Sequence, residues 1–164
     1  MGKSLEERIR LIEDREEIAR LKHTYCSINN GGYRDVTTHH DIDKLIDIFV
    51  PDGVWDGSPE LPKAVGHQQI RELFTAWRAL PYVIHYVTNP VIDVDGDTAH
   101  AVFQAIITGV IPGEVNRAMW IFGQYEEDYV RTPQGWKYKL LRFVSFAITP
   151  FEEGWAKTQF ASIA

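Results

Sequence analysis

From Tyr82 onward the sequence reads as four long strands that are apolar on both faces, which sharply limits the folds open to it. Residues 82–94, 98–111, 115–131 and 136–149 are rich in β-branched and aromatic side chains. Tight turns separate them at Asp95-Gly96-Asp97, Pro112-Gly113 and Thr132-Pro133-Gln134-Gly135. Along the last strand Trp136, Tyr138, Leu140, Val144, Phe146 and Ile148 alternate with Leu141, Phe143 and Ala147. An antiparallel sheet ordinarily leaves one face wet. Two covered faces predict a strongly curled sheet with a lined interior, and an outer face that forms a subunit interface.

The first half supplies the cover. Residues 5–29 read as a helix, with Leu5, Ile9, Ile12, Ile18, Leu21 and Tyr25 at close to helical spacing, ended by Asn29-Asn30-Gly31-Gly32. A polar loop leads to a short helix over 41–49, for which Asp41 is the N-cap. Pro51-Asp52-Gly53 is a turn, Val54-Trp55-Asp56 a short strand and 57–62 a loop; residues 66–77 form a third helix, which Pro81 closes. Residues 151–160 are a closing helix or an extended tail. Three helices followed by four antiparallel strands make an α+β fold in which the sheet buries a face on the helices. A length of 164 residues without linkers or repeats predicts one domain, 1–164.

Charge narrows the partners. Twenty-three acids against seventeen Lys and Arg give a net charge of −6 with no basic block, which argues against nucleic acid or an anionic membrane surface. Met1 leads into a charged stretch rather than a signal peptide, and no apolar run approaches the roughly 20 residues of a membrane span. Cys26 is the single cysteine and reads as a buried structural thiol, consistent with a cytoplasmic location.

One ionisable group interrupts the apolar strands. His85 lies in Pro81-Tyr-Val-Ile-His-Tyr-Val-Thr-Asn-Pro90, flanked by Val83 and Val87. An imidazole there is a candidate general base for C–H or O–H proton abstraction; the alternative is a core histidine with both nitrogens satisfied. Tyr25, inward on the first helix, is a candidate hydrogen-bond donor or a core aromatic. Trp55, Trp77, Phe103, Trp120 and Phe122 are candidates to line a pocket for a flat hydrophobic ligand, with core packing as the alternative. Arg142 replaces an apolar residue between Leu140 and Val144, which suits an anionic ligand group in the pocket or a salt bridge between subunits. His39-His40-Asp41-Ile42-Asp43 has the composition of a metal site, but adjacent residues rarely face one ion together, and neither metal nor cofactor is expected.

Several strings in order resemble the SnoaL-like group of the NTF2-like superfamily, which contains dehydrochlorinases and dehydratases. They are Asp14-Arg-Glu-Glu-Ile-Ala-Arg-Leu21 through Tyr25, Phe49-Val-Pro-Asp-Gly-Val-Trp55, Gly66, His85-Tyr-Val-Thr-Asn89, Gly123-Gln-Tyr125 with Tyr129, Gly135-Trp136 and Ala147-Ile-Thr-Pro150. The resemblance covers nearly the whole chain. It implies a cystatin-like cone of three N-terminal helices on a strongly curved, mostly antiparallel sheet, a deep apolar pocket, and a homotrimer or homodimer. It further implies His85 as base and Tyr25 as polar helper. The group's Asp near the end of the first helix falls on Asn30 here, and Asp35, Asp41 or Asp43 from the longer following segment are alternative partners. The implied activity is a cofactor-independent lyase or isomerase, using dehydratase- or dehydrohalogenase-like proton abstraction on a hydrophobic cyclic molecule. The alternative is a non-catalytic ligand-binding or assembly protein on the same fold.

Overall fold

The computed structural model describes residues 3–31 and 41–162. In chain order these form α1 (Leu5–Asn29), α2 (Ile42–Asp47), β1 (Phe49–Asp56), β2 (Lys63–Val65), α3 (Gly66–Trp77), β3 (Tyr82–Asp95), β4 (Thr98–Ile111), β5 (Arg117–Thr132) and β6 (Gly135–Pro150). A capping box starts α1: Ser4 Oγ accepts from the Glu7 N–H at 3.1 Å, and Glu7 Oε2 accepts from the Ser4 N–H at 2.6 Å. The backbone leaves the helix at Asn30, whose φ and ψ of −73° and 140° are extended. Gly31 then exchanges two backbone hydrogen bonds with Val83, at 2.8 and 2.9 Å. That bridge stitches the end of α1 to β3 two residues before His85.

The strands form an open mixed sheet in the order β2-β1-β6-β5-β4-β3. Only the β1–β6 pairing is parallel; all other neighbours are antiparallel. The expected strong curvature has a local cause in β6. Its pairing with β5 slips between Phe122 and Gly123 and again between Asp128 and Tyr129, and such bulges sharpen the bend of a sheet. Gly123 permits the first of them, because a Cβ there would lie 2.4 Å from the Val144 carbonyl oxygen and 2.6 Å from Phe143 Cζ. The concave face buries Ile18, Tyr25, Leu45, Phe49, Ile70, Phe74, Tyr138 and Leu141 among others.

Five sequence expectations change, the first being that Pro51, Asp52 and Gly53, expected as a turn, lie within β1. Leu5, Ile9 and Ile12 are exposed rather than inward, so the first two turns of α1 lie off the core, and the helix meets the sheet from Asp14, which is buried against Arg131 and Trp136. Helix α2 stops at Asp47, because Phe49 is already paired with Tyr138 as the start of β1. The segment expected as loop before α3 contains β2, which pairs Ala64 with Trp55. Residues 151–160 form turns, returning to the sheet through one bridge between Ile148 and Phe160.

Candidate functional site

Between α1, α3 and the concave sheet lies a cavity of about 340 Å³. Its lining is mostly apolar, with polar groups supplied by Tyr25 and Asn29 of α1, Trp55 of β1, His85 of β3 and Tyr125 of β5. That volume falls in the range of small-molecule sites.

The helix-end bridge at Gly31 brings Asn30 against His85. Asn30 Oδ1 accepts from the His85 backbone N–H at 2.8 Å and lies 2.9 Å from His85 Nδ1. A backbone N–H can only donate, so the amide atom facing it is the oxygen. The oxygen in turn can only accept, so Nδ1 carries a hydrogen and the lone pair of the neutral ring is on Nε2. One side chain thereby fixes both the backbone position and the tautomer of His85.

Tyr25 is the hub of the polar wall. Its hydroxyl accepts from Trp55 Nε1 at 2.9 Å, and its ring meets the Tyr125 ring edge-on with centroids 6.1 Å apart. The Tyr25 ring meets the His85 ring edge-on, with centroids 6.2 Å apart. Burial pushes both tyrosine hydroxyls well above their ordinary range, so they remain protonated donors.

A fully buried ion pair adjoins this wall. Lys22 Nζ lies 2.6 Å from Glu127 Oε1, while the Tyr129 hydroxyl donates to the other carboxylate oxygen. The ammonium also sits 3.0 Å from the Tyr125 ring centroid and 4.7 Å from that of Tyr25. Burial pulls the Lys22 ammonium below its ordinary range, with the Glu127 charge opposing it. Sequence reasoning missed this pair, although the signal was present. Lys22 follows Ile18 by four and precedes Tyr25 by three, on the inward stripe, and Glu127 shares strand parity with Tyr125 and Tyr129.

The other expected site residues divide. Trp55 and Trp77 line the cavity. Phe103 is buried in the core with its ring centroid 5.8 Å from Lys22 Nζ, outside the lining. Trp120 and Phe122, expected in the pocket, stack on each other and pack on Phe151 and Trp155 of the C-terminal segment. Their parity on β5 is opposite to Met119 and Ile121, which do line the cavity. Arg142 is also not a pocket residue: it is exposed, alternating with the inward Leu141 and Phe143, and its register partners are Asp56 and Glu126. Asp35, His39 and His40 lie outside the described residues. Asp41 caps α2 through Lys44 and pairs with its side chain, and Asp43 pairs with Arg71 at 2.8 Å. Among the described residues no group of His, Cys, Asp and Glu is arranged to hold a metal ion. Nor is any helix among them long and apolar enough to cross a membrane.

These features define an α+β protein with an apolar cavity walled by a helix and a curved sheet, and a tautomer-fixed histidine on its lining. The chain belongs to the SnoaL-like domain family, which matches residues 10–142. A solved structure from Novosphingobium aromaticivorans, assigned provisionally as an aromatic ring hydroxylase, is 34% identical with a TM-score of 0.75, over 85% of this chain and 94% of that one. An NTF2-like protein with a cystatin-like fold from the same organism is 24% identical with a TM-score of 0.64, over 93% and 92% of the two chains. The hexachlorocyclohexane dehydrochlorinase LinA-type3 from Novosphingobium barchaimii is 21% identical with a TM-score of 0.65, over 84% and 92%. The last two show the shared cystatin-like fold alone. A search of curated proteins finds no match.

Proposed function

We propose that this chain is a cofactor-independent lyase or isomerase acting on a hydrophobic, cyclic small molecule held in the cavity. His85 is the base, Asn30 sets its tautomer and Tyr25 is the donor. The observation that carries this reading is the double hydrogen bond to Asn30 Oδ1, which assigns the ring's lone pair to Nε2 on a residue lining an apolar cavity. In an elimination, Nε2 takes a proton from the carbon next to the one bearing the leaving group. The C–H electron pair becomes the new double bond, and the leaving group departs with its own pair while accepting a hydrogen bond from Tyr25. In an isomerisation the imidazolium returns the proton to a different carbon.

Dehydrochlorinase chemistry on the same fold supports the reading. The 34% identical neighbour points to ring-shaped ligands in its assigned name. The experiment is turnover across hydroxysteroid, halogenated and polyketide-like compounds for the parent and for His85→Gln. Loss of a general base is expected to slow the reaction about 10²- to 10⁴-fold. Equal rates would remove His85 from the chemistry.

A second reading is a non-catalytic binding or assembly protein. It is favoured by the identity of Asn30, because an amide does not offset the charge of an imidazolium as a carboxylate does. Under either reading the apolar outer face, with exposed Phe146, Phe151 and Trp155, supports association with further copies of this chain as a dimer or trimer.

A further inference from the structure

One residue of the cavity lining contributes no side chain. Gly109 of β4 lies in the wall between Val83 and Met119, its register partners on β3 and β5. The adjacent row is His85, Ile107 and Ile121, paired across the same three strands and also lining the cavity. Residues directly opposite in an antiparallel pair point to the same face of the sheet. Gly109 also shares strand parity with the buried Phe103, Ala105 and Ile107, so a Cβ there would point to the concave face.

Neither backbone nor packing requires glycine at this place. Gly123 is held by the close approach of Val144 and Phe143, and Gly135 by a φ of 101°. Beyond its chain neighbours, a Cβ on Gly109 would meet only the Tyr82 carbonyl oxygen among the described residues, at an ordinary contact distance of 3.6 Å. A glycine inside a strand weakens it and forgoes the packing of a side chain, and it often marks a place where a ligand approaches the backbone. Here the missing side chain leaves a slot that is part of the cavity. His85 is the diagonal neighbour of Gly109 across the β3–β4 pair, a relation that spans about 7 Å. A ring lying over the Gly109 backbone is therefore beside the imidazole.

We propose that Gly109 is a specificity-determining residue: the space of its absent side chain seats the ligand's ring, over the β4 backbone between Val83 and Met119, with one edge toward His85. The proposal rests on the reading above in placing a ring-shaped ligand in this cavity. It adds where the ring lies and what limits its size.

Binding to the intact protein tests it without turnover, with naphthalene as the probe. In the parent, NMR is expected to show nuclear Overhauser contacts from the naphthalene protons to the Gly109 α-protons, the Met119 methyl group and the His85 ring. One surplus methylene in an apolar pocket costs about 10- to 200-fold in discrimination. Gly109→Ala is accordingly expected to weaken naphthalene binding about tenfold or more, with a melting temperature no lower than the parent's, and Gly109→Val to weaken it further. Where a variant does not fold, the contacts in the parent still decide. Naphthalene bound against other lining residues but not Gly109 overturns the proposal, as does undiminished affinity in Gly109→Ala. So does failure of naphthalene to bind. Binding over Gly109 in a protein that turns over no substrate would keep this inference and remove the catalytic reading. Turnover that depends on His85 but is indifferent to Gly109→Val would do the reverse.

Discussion

A neutral imidazole has one nitrogen that donates and one that accepts, and Asn30 decides which is which at His85. The same logic of donors and acceptors governs the buried Lys22–Glu127 pair. Removing one partner leaves an uncompensated charge in the core, so Lys22→Met is expected to destabilise the fold by about 3–5 kcal/mol. Replacing Glu127 as well, with Leu, is expected to recover part of that loss, measured as the shift of the urea unfolding midpoint at constant slope. A double variant no more stable than the single one would show that the ion pair itself is not the issue. At this scale His85 stands out in the sequence as a histidine in an apolar strand and Tyr25 as an inward residue of the first helix, whereas Asn30 was reached only through the resemblance, which puts it where the group has an acid. Lys22 was passed over: it reads as another surface charge until its place on the inward stripe with Ile18 and Tyr25 is counted.

Among the elements, β1 shows how much depends on pairing. Asp56, at its end, is held by Lys63 at 2.8 Å and by the Ser58 hydroxyl at 2.6 Å, fastening the loop between β1 and β2. Lys63 foremost, then Ser58, lowers the Asp56 carboxyl from 3.8 to about 2. A carboxyl depressed in the folded state contributes stability above its unfolded value, and loses it as pH falls through the folded value. Thermal unfolding of Asp56→Asn against the parent is therefore expected to show a gap that is full at neutral pH and closes as pH falls below 3.8 toward about 2. A gap independent of pH would mean that charge at Asp56 is not what holds the loop.

Strand existence was legible from the turns, since β3 to β6 match the expected segments to within a few residues. Which face each residue takes was harder. Trp120 and Phe122 were expected in the pocket for their size, yet alternation from Tyr125 already assigns them outward. Strand β2 was hidden because three residues carry no pattern; only its partner β1 makes it a strand. The bulges in β6 were equally hidden, being set by contacts with β5.

At the scale of the molecule, apolar surface remains after the cavity and core are formed. Val91 and Tyr86 are exposed on β3, Phe146 on β6, Phe151 and Trp155 on the C-terminal segment, and Leu5 and Ile12 on the first turns of α1. If copies of the chain meet through the outer face, sedimentation at micromolar concentration shows a dimer or trimer, and Trp155→Glu shifts it toward monomer. A monomeric parent would leave those residues to another partner. The open sheet and the apolar cavity follow from strands that are apolar on both faces, so the double-faced pattern foretold the architecture better than it foretold any one lining residue.

Proton abstraction by His85 requires the ring's lone pair at Nε2, and long-range proton–nitrogen NMR at a pH where the ring is uncharged reads that directly. The expected result is a His85 ring protonated at Nδ1 and bare at Nε2, with the Nδ1 proton lost to faster exchange in Asn30→Ala. A ring protonated at Nε2 instead, or one indifferent to the loss of Asn30, would contradict it.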